Sequence, residues 1–262
     1  MTTVRRPAVA GLFYPDDPAE LREAVTGYLA RAEGNTGAAP KALIAPHAGY
    51  IYSGPVAASA YARIASAAGT IARVVLLGPA HRVAFRGLAL PGVDAFETPL
   101  GVIPLDGDAI ARIRPLPQVV DLPPAHAKEH SLEVHLPFLQ CLLGDFTLVP
   151  LVVGDAGARD VAAVLEALWG GPETLIVVSS DLSHYHDYAT ARAMDRATSD
   201  AIEALDPGRM DFDDACGRIP VSGLLRVAGR LGLSARCVDL RNSGDTAGPK
   251  DRVVGYGAYV VG

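Results

Sequence analysis

Three apolar runs in this chain stop abruptly at short polar signatures that contain histidine. Ala42-Leu43-Ile44 leads into Ala45-Pro46-His47-Ala48-Gly49-Tyr50, and Val74-Val75-Leu76-Leu77 leads into Gly78-Pro79-Ala80-His81. Leu175-Ile176-Val177-Val178 leads into Ser179-Ser180-Asp181-Leu182-Ser183-His184-Tyr185-His186. Imidazole titrates near neutrality and is a common metal ligand, so histidines gathered at one point imply metal binding or acid–base chemistry. Short continuous runs of Val, Ile and Leu are expected as buried strands of a largely parallel sheet. Such sheets bind ligands beyond the carboxyl ends of their strands. The three signatures are therefore expected to meet at one sheet edge and build one site.

The candidate residues differ in what they can do. His47 and His81 each lie beside Pro or Gly, and glycine lets backbone approach a ligand closely. Each could instead tie down its loop through hydrogen bonds. In the third signature, Asp181 could ligate a metal, orient an imidazole or cap a following helix. His184 and His186 are candidate proton-transfer groups. His184 is preferred because Asp181 lies three residues earlier, one helical turn away. A fourth cluster, His130-Ser131-Leu132-Glu133-Val134-His135, lacks the i, i+4 histidine pair of zinc proteases. His130 and His135 would lie roughly 140° apart around a helix, whereas His130 and Glu133 can share a face. The same cluster also reads as a capped helix start.

Cys216 sits in Ala215-Cys216-Gly217-Arg218-Ile219-Pro220, between an acidic stretch and an expected helix. Nearby Arg218 could favour its thiolate, the form that binds metals. Cys141 and Cys237, in apolar surroundings, read as small buried hydrophobes. Two imidazoles and one thiolate suit iron, copper or zinc. Asn242-Ser243-Gly244-Asp245 is a turn-rich loop that either contacts the site or connects elements. No Walker A loop, G-x-S-x-G elbow or paired C-x-x-C is present.

The elements that must position these groups follow from composition and pattern. Of 262 residues, 50% are hydrophobic and 20% charged, enough for a substantial core. A net charge of −6 and the lack of a basic block argue against a general nucleic-acid binder. No apolar stretch is long enough to span a membrane. The residues from Met1 to Pro7 lack the apolar core of a signal peptide. Three cysteines are too few for a disulfide framework, and a reducing cytoplasm is the expected compartment. Asp16-Asp17-Pro18-Ala19-Glu20 starts a helix, with Leu21, Val25, Tyr28 and Leu29 at helical spacing. Residues 33–40 read as a polar loop. A helix is expected from Ala57 to Ala67 after Gly54-Pro55, and a strand over 73–77. Short strands are expected within 87–105, and a proline-rich excursion over 114–129. Leu132, Leu136, Leu139 and Leu143 share a helical face that Pro137 must start or kink. Strands are expected at 146–153, 174–178 and 253–261, and helices at 160–169, 187–205 and 221–231. With no repeat and no linker, residues 1–262 read as a single α/β domain, a central, mostly parallel or mixed sheet flanked by helices.

Taken together and in order, these motifs resemble the Memo family, also called AmmeMemoRadiSam system protein B. They are Ala-Pro-His-Ala-Gly-Tyr at 45–50, Gly-Pro-Ala-His at 78–81, Glu-His-Ser-Leu-Glu-Val-His-Leu-Pro at 129–137, Ser-Ser-Asp-Leu-Ser-His at 179–184 and Cys-Gly-Arg-Ile-Pro at 216–220. Ala10-Gly11-Leu12-Phe13-Tyr14-Pro15 and Asn242-Ser243-Gly244-Asp245 also look like family segments. The resemblance implies the LigB-like fold of class III extradiol dioxygenases, which hold Fe(II) with two histidines and a glutamate. Carried over by motif, it implies His47 and His81 as metal ligands and His184 as the acid/base. It places Cys216 where those dioxygenases have glutamate. A thiolate is itself oxidisable, so this departure bears directly on ring-cleavage chemistry.

The implied cofactor is a divalent metal, iron(II) first, with copper or zinc as alternatives. Radical-SAM and AMMECR-type proteins are the partners implied by family association. A metal-dependent oxidoreductase follows first: His47, His81 and Cys216 bind the metal, His184 moves protons, and Asp181 orients it or holds water. His130, Glu133 and His135 shape the pocket. A non-catalytic metal-binding or redox-signalling protein is the second expectation. A metal-assisted hydrolase using Glu133 or His184 as base is the third.

Overall fold

The computed structural model describes residues 2–34 and 38–262. Residues 35–37, within the expected polar loop, lie outside the described residues. In chain order the strands are β1 (Val4–Arg5), β2 (Ala42–Ala45), β3 (Arg73–Pro79), β4 (Leu88–Leu90), β5 (Ala95–Thr98), β6 (Gly101–Pro104), β7 (Val119–Asp121), β8 (Thr147–Val153), β9 (Thr174–Ser179), β10 (His184–His186), β11 (Ala235–Asn242) and β12 (Val253–Val261). The helices are α1 (Pro18–Arg31), α2 (Tyr50–Tyr61), α3 (Gly107–Ile113), α4 (Pro123–Ala127), α5 (Leu136–Leu143), α6 (Ala158–Leu168), α7 (Tyr188–Glu203) and α8 (Arg218–Leu231).

Side chains alternate along a strand, and here both sets are buried. Leu43, Val74, Leu76, Leu175 and Val177 enter one core, against Leu21 and Val25 of α1, Val56 and Tyr61 of α2, and Phe138 and Leu139 of α5. Ile44, Val75, Leu77, Ile176 and Val178 enter a second, against α6 and α8. Burial on both faces is why these strands read as unbroken apolar runs. The main sheet has the order β10-β12-β2-β9-β3-β8-β4-β7, with β11 also on β12. Its centre, β2, β9, β3 and β8, is parallel. Strand β12 runs antiparallel to β2, and β4 antiparallel to β8, so the sheet is mixed. A three-stranded sheet, β1-β5-β6, lies apart from it. The result is one α/β domain with mixed sheets flanked by helices. Among the described residues, no helix is long and apolar enough to cross a membrane.

Most expected elements are present, and the departures have physical causes. Helix α1 is capped by Asp17, whose carboxylate accepts the Ala19 and Glu20 amides at 2.8 and 3.0 Å. Helix α2 begins at Tyr50, before Pro55, and residues 62–67 tighten to a 3₁₀ turn. Tertiary contacts hold that first turn in spite of the proline. The Tyr50 hydroxyl donates to the Val134 carbonyl at 2.7 Å, and its ring packs 5.1 Å from that of Phe138. The proline-rich excursion contains β7 and α4. Strands β1, β10 and β11 were not expected, because each is too short or too polar to alternate visibly.

The cluster at 130–135 is not α-helical: Glu133–His135 is a 3₁₀ turn, and Pro137 stands in the first turn of α5. His130 and Glu133 therefore do not share a helix face. Glu133, fully buried, binds the N-terminal segment instead of shaping a pocket. It pairs with the Arg5 guanidinium and accepts the Ala8 and Val9 amides at 2.8 and 2.9 Å and the Tyr14 hydroxyl at 2.6 Å. Removing one partner of a buried pair leaves a desolvated charge, so Glu133→Ala should cost about 3–5 kcal/mol in denaturant unfolding. Hydrogen exchange at the Ala8 and Val9 amides should rise with it. Unchanged stability and exchange would show that this carboxylate does not hold the N-terminal segment.

Candidate metal centre

Strand β9 lies between β2 and β3, all three parallel, so their carboxyl ends fall on one edge of the sheet. The pairing continues past the strands, with the Ser180 amide donating to Ala45 at 2.9 Å. His47, His81 and Asp181 follow those ends within two residues, which is what the apolar runs imply. The three imidazoles His47, His81 and His130 touch: ring centroids are 5.2 Å apart for His47–His81, 5.5 Å for His47–His130 and 4.7 Å for His81–His130.

Hydrogen-bond counting fixes which ring nitrogens are free. Ser179 is fully buried at the end of β9, and its hydroxyl donates its only proton to the Ser131 carbonyl at 2.6 Å. The two imidazole nitrogens on that oxygen, His47 Nδ1 at 2.6 Å and His135 Nε2 at 2.8 Å, must then both be N–H donors. His47 is left with a bare Nε2. His135 Nδ1 accepts from the Tyr61 hydroxyl at 2.8 Å, so His135 has no lone pair to offer the pocket. Burial, then the neighbouring His81, holds His47 well below the ordinary histidine value, so it is neutral. Burial holds His135 down to about 3. The 4.0 Å approach of His47 Nε2 to Asp181 is accordingly not an ion pair.

Glu129 does the same for His81. Its oxygens accept the His81 amide at 2.6 Å, His81 Nδ1 at 2.9 Å, the His130 amide at 2.9 Å and the Ser131 amide at 3.0 Å. Burial pushes its carboxyl up, but the bonds from His81 and the backbone outweigh that and hold it at about 2. An ionised carboxylate only accepts, so His81 Nδ1 carries the proton and Nε2 is the free atom. Carboxylate–imidazole pairs of this kind set the tautomer of metal-ligating histidines.

Cys216 arrives from the turn before α8. Gly217 packs so tightly that a Cβ there would stand 2.4 Å from the Ser179 carbonyl, which brings the cysteine against the β9 end. Cys216 Sγ lies 3.5 Å from His47 Nε2 and accepts the Asp181 amide at 3.3 Å. Burial, then the Asp181 carboxylate, pushes the thiol well above its ordinary value. Any help that Arg218 gives the thiolate does not outweigh that rise. The Arg218 guanidinium lies over the Phe212 ring, 6.0 Å from its centroid.

One ligand atom each from His47, His81 and Cys216 lies within 4.8 Å of the others. The 3.5 Å between Cys216 Sγ and His47 Nε2 fits two donors about 2.0–2.3 Å from one ion, with His81 close enough to supply a third. His81, Glu129 and His130 also come within 4.8 Å, but Glu129 is already committed to four N–H groups, so this set is a hydrogen-bond network.

Asp181 is 4% exposed, and its carboxylate accepts the His47 amide at 2.7 Å. Burial raises its carboxyl, opposed by that bond. It caps no helix; Asp187 caps α7. Nor do Asp181 and His184 lie one helical turn apart, since 181–183 has no regular structure and His184 begins β10. Among the described residues, Asp181 makes no hydrogen bond to His184. His184 lines two adjoining cavities, one of about 560 Å³ that also meets His47, His130 and Asp181, and one of about 540 Å³ that meets Cys216. His81 and Tyr185 line both, so the cluster sits where the two join. His186 lines only the second. Ser243 reaches the first, so the turn-rich loop does contact the site. Sequence reading missed Ser179 and Glu129 as positioning groups. Both lie inside quoted motifs, but only the fold shows which histidine each one faces.

These observations define a class: a single-domain α/β protein carrying an imidazole and thiol cluster beyond its parallel strand ends. The chain belongs to the Memo family, whose model, described as Memo-like protein, matches residues 5–260. A MEMO1 family protein of Aquifex aeolicus is 39% identical over 264 residues, 97% of each chain. One of Methanothermobacter thermautotrophicus is 38% identical over 275 residues, covering 97% of this chain and 98% of the relative. A crystal structure of an uncharacterized Escherichia coli K12 protein covers 84% of this chain and 98% of that one, at 13% identity and a TM-score of 0.46.

Two outcomes follow from the two positioning groups. Ser179→Ala removes the acceptor that keeps the proton on His47 Nδ1, and should weaken binding of cobalt(II) or zinc(II) about 10–100-fold in a competition titration. Unchanged affinity would refute that role. Glu129 is held below its ordinary value of 4.5, so its stabilisation is complete above pH 4.5 and is lost as pH falls toward 2. Glu129→Gln should flatten that limb of the acid-unfolding curve, and a limb of unchanged slope would contradict the linkage.

Proposed function

We propose that this Memo family protein binds a divalent metal, iron(II) first, through His47, His81 and Cys216, and acts on a small molecule as a metal-dependent oxidoreductase. The observation that carries this reading is the donor set itself. Two imidazole Nε2 lone pairs, freed by Ser179 and Glu129, stand with one thiol where cavities of about 560 and 540 Å³ adjoin. Two nitrogens and a sulfur suit iron, copper or zinc, and the motif correspondence to Fe(II) dioxygenases puts iron first. Bound iron(II) would supply one-electron chemistry there.

The protein's own residues do the rest. His47 and His81 are locked in the tautomer a ligand needs, so little reorganisation is left for binding. Because Cys216 is a thiol in the absence of a cation, metal uptake must displace its proton. His184 faces both cavities, where a ring nitrogen can take or give a proton to a bound molecule. Asp181 fixes the His47 backbone and keeps a buried carboxylate beside the thiol. Phe13, Tyr52 and Tyr256 give the cavity aromatic walls. Glu133 has no role as a hydrolytic base, because both of its oxygens are occupied and it is sealed from the cavity.

The test is metal content after anaerobic purification, measured for the native chain, Cys216→Ser and His81→Ala. Both substitutions should remove most of the metal. Equal content in all three proteins would sink the ligand set. With iron(II) loaded, oxygen uptake in the presence of a catechol then tests turnover; metal bound without uptake would favour the non-catalytic reading.

A further inference from the structure

We infer that the cavity beside the cluster is a binding site for a planar carboxylic acid, its carboxylate on Arg252 above the Tyr185 ring and its other end toward His184. This rests on reading the cluster as a reaction site, and it assigns the class of molecule that enters it.

The first observation is an unclaimed cation. Arg252 lines the cavity and is exposed, and among the described residues it has no carboxylate partner and no hydrogen-bond acceptor. Nine other arginines form ion pairs in the same structure, whereas Arg252 brings an uncommitted guanidinium to a cavity wall. What Arg252 does contact is Tyr185, with its guanidinium 4.6 Å from the ring centroid. An arginine resting on an aromatic face keeps its N–H fork free and oriented, which matches the two oxygens of a carboxylate.

The second observation is the backbone that presents Tyr185. His184 pairs with Val254 and His186 with Val253, so Tyr185 is an extra residue bulged from β10. Its φ is 64°, a left-handed conformation that a side-chain-bearing residue rarely adopts. Such strain persists where the surroundings over-determine it, and it gathers at ligand sites. The bulge places the Tyr185 ring 5.7 Å from that of His184 and leaves it 61% exposed.

Shape and charge give the orientation. Phe13, Tyr52 and Tyr256 supply further aromatic walls, whose faces favour a flat ligand. The one carboxylate in the lining is Asp181, buried on the cluster side. Arg252 is the one arginine or lysine in the lining, so an anionic end is drawn to it and away from the cluster. A flat acid is therefore held carboxylate-outward, with its uncharged end at His184 and the cluster.

The experiment is equilibrium dialysis of the full-length protein, as purified and after chelator treatment, with 4-hydroxybenzoate and its neutral isostere 4-hydroxybenzamide. Without metal the acid should bind about tenfold tighter than the amide, the range expected of a charge-assisted bidentate pair. Arg252→Met should erase that preference and leave amide binding in place. Arg252→Lys should keep part of it, since the charge survives and the fork does not. Equal affinities for acid and amide, no binding of either, or a preference that survives Arg252→Met would each overturn the inference. The metal-free arm separates this result from the proposed function: the acid preference requires no metal, and metal content requires no Arg252.

Discussion

Ser179 has one hydroxyl proton, and it goes to a carbonyl that can only accept. Everything else around that oxygen must then donate, and the two groups present are the imidazoles of His47 and His135. One buried hydroxyl thus decides that His47 keeps a free Nε2 and that His135 does not offer one. In a wet site this constraint would be weak, because water would satisfy either tautomer. Ser179 is fully buried, so an unpaired donor there would cost its full desolvation, and the network has one consistent assignment.

The same logic explains the two glutamates four positions apart in the 129–135 segment. Glu129 turns toward the strand ends and takes four N–H groups around His81 and His130. Glu133 turns the other way and takes the N-terminal segment, with Arg5, Ala8, Val9 and Tyr14 as donors. The two are connected, because Arg5 also donates to the Glu129 carbonyl at 2.6 Å. The segment that Glu133 anchors delivers Phe13 against His130, with ring centroids 4.7 Å apart. The N-terminus is thereby part of the cavity wall, although it is remote in sequence from every candidate ligand.

Much of this was legible in residue order. The apolar runs marked β2, β3 and β9, and parallel strands bring their carboxyl ends to one edge, so His47, His81 and Asp181 were expected together. The Asp17-Pro18 helix start was legible because capping is local chemistry. Less legible was anything that depends on a neighbour distant in sequence. Helix α2 starts before Pro55 because Tyr50 is held by Val134 and Phe138. Arg218 is two residues from Cys216 in sequence yet stacks on Phe212, leaving burial and Asp181 to push the thiol up. Asp181 is three residues from His184, but its carboxylate serves His47.

The sequence by itself determined the apolar strands β2, β3 and β9, the placement of His47 and His81 just past strand ends and the residue types gathered there. These depend on side-chain period, on backbone direction and on residue type, all of which are local. Only the tertiary structure decided which nitrogen of His47 and His81 is free, that Glu129 rather than Glu133 serves the cluster, and that Arg252 stands in the cavity without a carboxylate partner among the described residues. Those outcomes depend on which buried donor meets which acceptor across long stretches of chain, 134 residues in the His47–Asp181 bond. Packing settles that pairing, because a buried polar group without a partner costs more than almost any single contact returns.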